Sequence, residues 1–332
     1  NIIDRLSGGT GGSFALALAD SQINISGGAV FNHLQGFDNA NVDISGGQVG
    51  QFLDVFGTVD MTAGFIDSIA TIETGGVLNL SGGSVGNGLT AADSASVNIS
   101  GGELGLGATA QSFSLFDISG GTIGDNFTGE IASVLNISGG TIGDGFETDG
   151  VVNLSGGEFE GSLVATANAQ INVMGSDFEV DGVPVAGLVP GVATTVFARG
   201  GVPFTATLAD GTPFEIDLNT LPPNAGDDFV DFNALLTVTL IATSLAGDYN
   251  GNGVVDAADY TVWADNFGST SALAADGNGN GVVDAADYTI WADNFGTSAA
   301  AGQGLTLIPE PSTLVWLALS GPALVRRRGR TG

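Results

Sequence analysis

The sequence predicts a mainly β chain: a parallel β-solenoid (β-helix) with a β cap, then a small α-helical module and a C-terminal hydrophobic segment. Three observations predict it. A six-residue unit ending in Ser-Gly-Gly returns about every 19 residues through the first half. Short runs of alternating apolar residues follow. After them, one acidic Asn-Gly loop with a short aromatic helix is written twice.

The first unit reads apolar, Asn or Asp, apolar, Ser, Gly, Gly, with Ser26, Ser45, Ser81, Ser100, Ser119, Ser138 and Ser155 in register and Thr62 and Met174 heading degenerate copies. In a strand alternate side chains face opposite ways, so Ile23 and Ile25, Leu78 and Leu80, or Val97 and Ile99 point inward together. Gly-Gly then supplies the positive φ of a corner. A second apolar residue follows each corner (Val30, Val49, Val85, Leu104, Ile123, Ile142, Phe159). The period is too short for helix pairs and fits the coil of a parallel β-solenoid, about ten coils over residues 1–177. Stacking places Asn24, Asn79, Asn98, Asn136, Asn153 and Asn172, with Asp43, Asp60 and Asp117, in one outward column. Asn columns bond from rung to rung. Stacked aspartates repel, and the sequence is read as spreading them out.

Charge narrows the function classes. The formal net charge is -30, lysine is absent, and before Ile308 only Arg5 and Arg199 face 35 carboxylates. Such a surface repels phosphate backbones, which argues against nucleic acid as a partner, and suits divalent cations. With no cysteine and one histidine, His33, thiolate and histidine metal sites are excluded. For catalysis the solenoid offers Asp38, Asp54, Asp67, Glu73, Glu103, Glu130 and Glu147 on its variable arcs, but no pattern singles out a pair. No catalytic residue is assigned, and the balance leans away from an enzyme.

After Met174 the beat stops. "FTATLADGTPFEIDL", Phe204 to Leu218, is two alternating runs about Asp210-Gly211, a hairpin signal. "LLTVTLI", Leu235 to Ile241, reads as another strand. Residues 178–245 are expected to cap the last solenoid edge or to form a small β-domain of their own.

The doubled stretch, "DYNGNGVVDAADYTVWADNFG" and "DGNGNGVVDAADYTIWADNFG", places oxygen-bearing side chains at loop positions 1, 3, 5, 9 and 12 with glycine at 6. They are Asp248, Asn250, Asn252, Asp256 and Asp259 in one copy and Asp276, Asn278, Asn280, Asp284 and Asp287 in the other. This is EF-hand spacing, in which Val254 and Val282 at position 7 lend backbone carbonyls, and it predicts two Ca2+ sites. Asp256 is placed to cap the following helix, and Gly268 follows its end. Tyr260, Trp263 and Phe267, repeated as Tyr288, Trp291 and Phe295, form one apolar stripe per helix, expected to be core.

The loop-helix pair, with Asp at position 12, resembles the type I dockerin over roughly residues 246–298. The resemblance implies paired calcium loops and a cohesin-like or other surface-protein partner. Ala257-Ala258 and Ala285-Ala286 stand where cellulosomal members often carry Ser-Thr, which weakens the partner half of that implication.

After a linker, residues 299–307, "IPEPSTLVWLALSGPALVRRRGR" resembles the PEP-CTERM sorting signal: Pro309-Glu310-Pro311, an apolar stretch, then arginines. Thr313 to Val325 would span only about 20 Å as a helix, short of a bilayer core of about 30 Å, which suits transient membrane insertion of residues 308–332. The resemblance implies processing by an exosortase-type enzyme and a place on the surface or in the matrix of a Gram-negative bacterium. The expected role is structural or adhesive. The alternative is a carbohydrate-active protein that binds or degrades extracellular polysaccharide on the β-helix and docks through the doubled module.

Overall fold

The computed structural model describes residues 3–6, 14–30, 32–220, 227–241, 245–251 and 253–297. They fall into two compact units, Asn1–Ala242 and Thr243–Gly332. The 299–307 linker and the 308–332 sorting segment lie outside the described residues. Among the described residues no helix is long and apolar enough to cross a membrane.

The first unit is a parallel β-solenoid of about eight turns, with neighbouring turns 19 or 17 residues apart. From Gln22–Val30 and His33–Gly36 to Val151–Phe159 and Leu163–Ala165, a turn has a long strand followed by a short one, except where the long strand is broken into Val77–Leu80 and Ser84–Asn87. Long strands stack in one parallel sheet and short strands in a second. Alternation decides what is buried: in the long strand Leu115–Ile123, Phe116, Ile118 and Ile123 face the core while Leu115 and Asp117 do not. Ser-Gly-Gly shifts the register within each long strand, so residues before and after it reach one core from different sides. At the second glycine the need for glycine is twofold. Gly47 has φ of 81°, and a Cβ there would lie 2.7 Å from the carbonyl oxygen of Gly28 one turn below.

Against the ten coils expected, about eight turns form. The first, Ile3–Leu6 and Phe14–Ala17, is described only in part, and the other end has a physical reason. The strand Gln170–Val180 does not continue into a short strand of its own. It pairs antiparallel with Pro203–Leu208, and its short-sheet neighbour is supplied by Phe229–Val230, paired on Val164–Ala165.

Two turns are two residues short. Most turns round one corner through a left-handed residue such as Asn39, Ser94, Phe113 or Ala132. Asn41–Gly57 and Val134–Gly150 omit it. Their closing glycines, Gly57 and Gly150, press on the backbone of Ala40 and Ser133 in the turn below, where any Cβ would collide with a carbonyl oxygen.

Residues 178–241 belong to the same unit. Pro203–Leu208 and Pro213–Asp217 form an antiparallel hairpin about Asp210-Gly211. Leu235–Leu240 lies parallel on Gln170–Gly175, adding one rung. A chain of rings, Phe116, Phe127, Phe146, Phe159, Phe214, Phe204 and Phe178, runs from the solenoid interior into the hairpin with centroids 5.0–6.4 Å apart.

Among its described residues the second unit carries two helices, α1 (Ala257–Asn266) and α2 (Ala285–Asn294), each after one copy of the acidic loop.

Candidate functional site

On the solenoid the Asn/Asp column forms as its register dictates. Asn79 donates to Asp60 at 2.7 Å, Asn98 to Asn79 at 2.7 Å, Asn136 to Asp117 at 2.6 Å, and Asn153 and Asn172 each to the preceding Asn at 2.7 Å. Thr237 of the added rung donates to Asn172 at 2.7 Å. Every bond points to the preceding turn. A carboxylate only accepts, so each run of the ladder begins on an aspartate. The aspartates are less spread out than the sequence suggests, because Asp43 and Asp60 are register partners on adjacent turns. Each has its own amide: Gln22 donates to Asp43 at 2.6 Å, and Asn79 serves Asp60.

Among the carboxylates on the variable arcs, Asp54 meets His33 Nε2 at 2.8 Å. Burial first, and the charge of Asp54 second, push the Glu73 carboxyl above the ordinary range. Asp125 accepts the Asp144 N–H at 3.0 Å, and Asp144 accepts the Ser162 N–H at 2.9 Å, so both clamp adjacent turns together.

The doubled loops are built more closely. Each helix starts with a capping box: Asp256 accepts from Ala258 N at 2.7 Å while Asp259 accepts from Asp256 N at 2.8 Å, and Asp284 and Asp287 repeat this at 2.8 and 2.7 Å. The second oxygens of Asp259 and Asp287 reach back into their loops, to Asn250 N at 2.9 Å and Asn278 N at 3.2 Å. Position 1 closes each loop onto position 6: Asp248 accepts from Gly253 N at 2.7 Å and Asp276 from Gly281 N at 2.8 Å. In the second loop Asn278 accepts from Asn280 N at 3.0 Å and Asn280 from Val282 N at 2.9 Å. Asn252 lies outside the described residues. Val254, at position 7, is exposed.

Two carboxylates here are fully buried, Asp259 and Asp287 at 0% exposure. The sequence supplies no lysine, arginine or histidine between Arg199 and Arg326 to compensate them. A buried carboxylate is costly unless it is paired, hydrogen-bonded or metal-bound. The donor set, hard oxygens from carboxylates, amides and a backbone carbonyl, fits calcium. Among the described residues no group of three or more His, Cys, Asp or Glu side chains converges as a metal site. The carboxylates point at backbone N–H groups of their own loops.

The two halves are strapped reciprocally. Trp263 Nε1 donates to the carbonyl of Asp284 and Trp291 Nε1 to that of Asp256, both at 2.8 Å. Gly268 N donates to Val283 O and Gly296 N to Val255 O, also at 2.8 Å. The aromatic stripes meet, Trp263 with Tyr288 at 5.2 Å and Tyr260 with Trp291 at 5.3 Å between centroids. They are not the buried core expected of them: Phe267 is 58% and Phe295 56% exposed. The buried side chains are Tyr249, Val255, Ala275 and Val283 with the two aspartates. Two ten-residue helices cannot enclose six rings.

The copies differ between Gly247–Gly268 and Ala275–Gly296 at three positions, and the structure accounts for each. Tyr249 is buried and donates its hydroxyl to Asp287 O at 2.5 Å, and a Cβ on its counterpart Gly277 would lie 2.7 Å from that hydroxyl. Burial, then the charges of Asp287, Asp259 and Asp276, push the Tyr249 hydroxyl up to about 12. A Cβ on Gly247 would lie 2.8 Å from Trp291 Cα, while its counterpart Ala275 is buried in the small apolar cluster with Tyr249 and Val283. Ile290, the counterpart of Val262, puts its Cδ1 beside Gly277. Tyr249 belongs to no ligand or stripe position of the loop, and the signal for it in the sequence is a mismatch inside a near-perfect duplication.

No protein-family model matches the chain, and neither a curated protein nor a solved structure matches it.

Proposed function

We propose that the chain is an exported structural or adhesive protein of the cell surface or extracellular matrix of a Gram-negative bacterium. In this reading the solenoid is the scaffold, residues 178–245 cap its last turn, and the dockerin-like residues 246–298 are a module held together by two Ca2+. Residues 308–332 serve as a PEP-CTERM-like sorting segment, transiently membrane-inserted and processed by an exosortase-type enzyme. A surface protein and extracellular polysaccharide are the partners that this placement offers.

The observation that carries the reading is the pair Asp259 and Asp287, buried at equivalent places of a doubled loop that has no cationic side chain. Calcium bound there supplies the missing positive charge. The ligands are Asp248, Asn250, Asn252, Asp256 and Asp259 with the Val254 carbonyl, and Asp276, Asn278, Asn280, Asp284 and Asp287 with the Val282 carbonyl. The scaffold role is supported by the column on the solenoid face, whose amides are spent on bonds between turns.

Calorimetric titration of the full chain with CaCl2 tests the calcium reading. Two binding events are expected, with Asp259→Asn and Asp287→Asn each abolishing one. Absence of calcium heat in the wild-type chain would refute the reading.

A further inference from the structure

Beside the last rung of the first unit lies a cavity of about 290 Å3 lined by Thr195, Phe197, Arg199, Phe232 and Asn233, among others. Its rings are the two most exposed phenylalanines among the described residues: Phe197 is 85% and Phe232 78% exposed, ahead of Phe113 at 68%. An exposed aromatic ring on each of two loops lining one hollow is a stacking arrangement without a stacked partner. Between them Arg199 is fixed in place: Nη1 donates to Val196 O at 3.2 Å and Ala198 O at 2.8 Å, and Nη2 to Ala234 O at 2.6 Å. Three of its five N–H donors are thus spent, and the Nε–H is buried without an acceptor.

We propose that this hollow binds a neutral sugar unit of an extracellular polysaccharide, its ring faces against Phe197 and Phe232 and its oxygens accepting from the second Nη2–H of Arg199 and from the second amide proton of Asn233, whose other amide proton and backbone N–H go to Asp231 at 3.0 and 2.8 Å. The volume lies at the small end of ligand cavities, about 300–1,000 Å3, which suits one ring and not a long chain segment. Charge decides between sugar classes. Arg199 has the carboxylate of Asp231 in its surroundings, and the whole chain carries a formal charge of -30, which opposes the approach of a uronate polymer. The inference deepens the adhesive side of the proposed function by naming a ligand, and it does not depend on calcium.

Native electrophoresis of the full chain through gels containing dextran, a neutral β-glucan or xylan, with alginate and pectate gels alongside, tests it. Retardation by at least one neutral polysaccharide is expected, unchanged in chelator. In Phe197→Ala and Phe232→Ala the apparent affinity should fall about tenfold or more, and thermal unfolding should not move, because both rings are exposed. The proposal is overturned if no neutral polysaccharide retards the wild type, if only alginate or pectate does, or if the double variant is retarded as strongly as wild type. Since chelator removes calcium without touching this hollow, failure here and failure of the calcium reading are separate results.

Discussion

At Gly57 the chain has room for a hydrogen and nothing more, because a methyl group would be driven into the Ala40 carbonyl oxygen of the turn below. Gly57→Ala is therefore expected to cost about 1–3 kcal/mol in chemical unfolding, the range for overpacking a close contact. A cost near zero would show that the shortened turn can shift outward. Asp144 makes a different kind of residue-scale claim. The N–H of Ser162, then its hydroxyl, then the N–H of Gly145 hold this carboxyl below its ordinary value of 3.8. A folded-state pKa lowered in this way adds stability that is complete above the unfolded value and lost as pH falls through the folded one. The window is thus below about pH 4. Asp144→Asn keeps an acceptor and does not titrate, so its urea midpoint should fall less steeply than that of wild type between about pH 4 and pH 2. Parallel slopes would mean that Asp144 does not clamp the turns.

Among the elements, the long strands were legible because two periodicities agree: alternation within a strand and the 19-residue return between strands select the same buried positions, such as Val97 and Ile99. The short strands were not, since Thr90–Ala91 or Thr128–Gly129 is too brief to show alternation and is held only by its neighbours in the stack. The helices and their caps were legible from Asp256 and Asp284. The cross-straps from Trp263 and Trp291 were not, because a bond to a backbone carbonyl 21 or 35 residues away leaves no sequence pattern. The Asn ladder carries its own prediction. Asn98 donates to Asn79 and is the register partner of Asp117, so Asn98→Asp removes a donor and sets two carboxylates on neighbouring rungs. A loss of about 1–3 kcal/mol is expected at neutral pH. It should shrink in acid, where a protonated carboxyl donates again. A pH-independent loss would mean that size and not hydrogen bonding sets the column.

For the whole molecule, the division into two units separates their optical signals, which lets the proposed response to calcium be read for each unit apart. All three tyrosines, Tyr249, Tyr260 and Tyr288, and all three tryptophans fall in the second unit, Trp263 and Trp291 on the helices after the doubled loops and Trp316 in the 308–332 segment, while the aromatic residues of the solenoid are phenylalanines and His33. Near-ultraviolet dichroism therefore reports the doubled loops, and far-ultraviolet dichroism is dominated by the parallel strands. The second unit has eight aspartates between Thr243 and Thr297 and no basic side chain, two of its carboxylates are fully buried, and short paired helices have little intrinsic stability. On the calcium reading proposed above, removing the cation would leave those charges without a counterion, and folding of this unit would be tied to the cation by mass action. The solenoid is held by stacked apolar side chains and by ladders of amides, neither of which needs a metal. In excess chelator the near-ultraviolet signal should collapse and return with CaCl2, while the far-ultraviolet β signal and the main thermal transition stay in place. Joint loss of both signals would make calcium a fastener of the solenoid as well. Persistence of both would return the doubled loops to self-sufficient Asx turns.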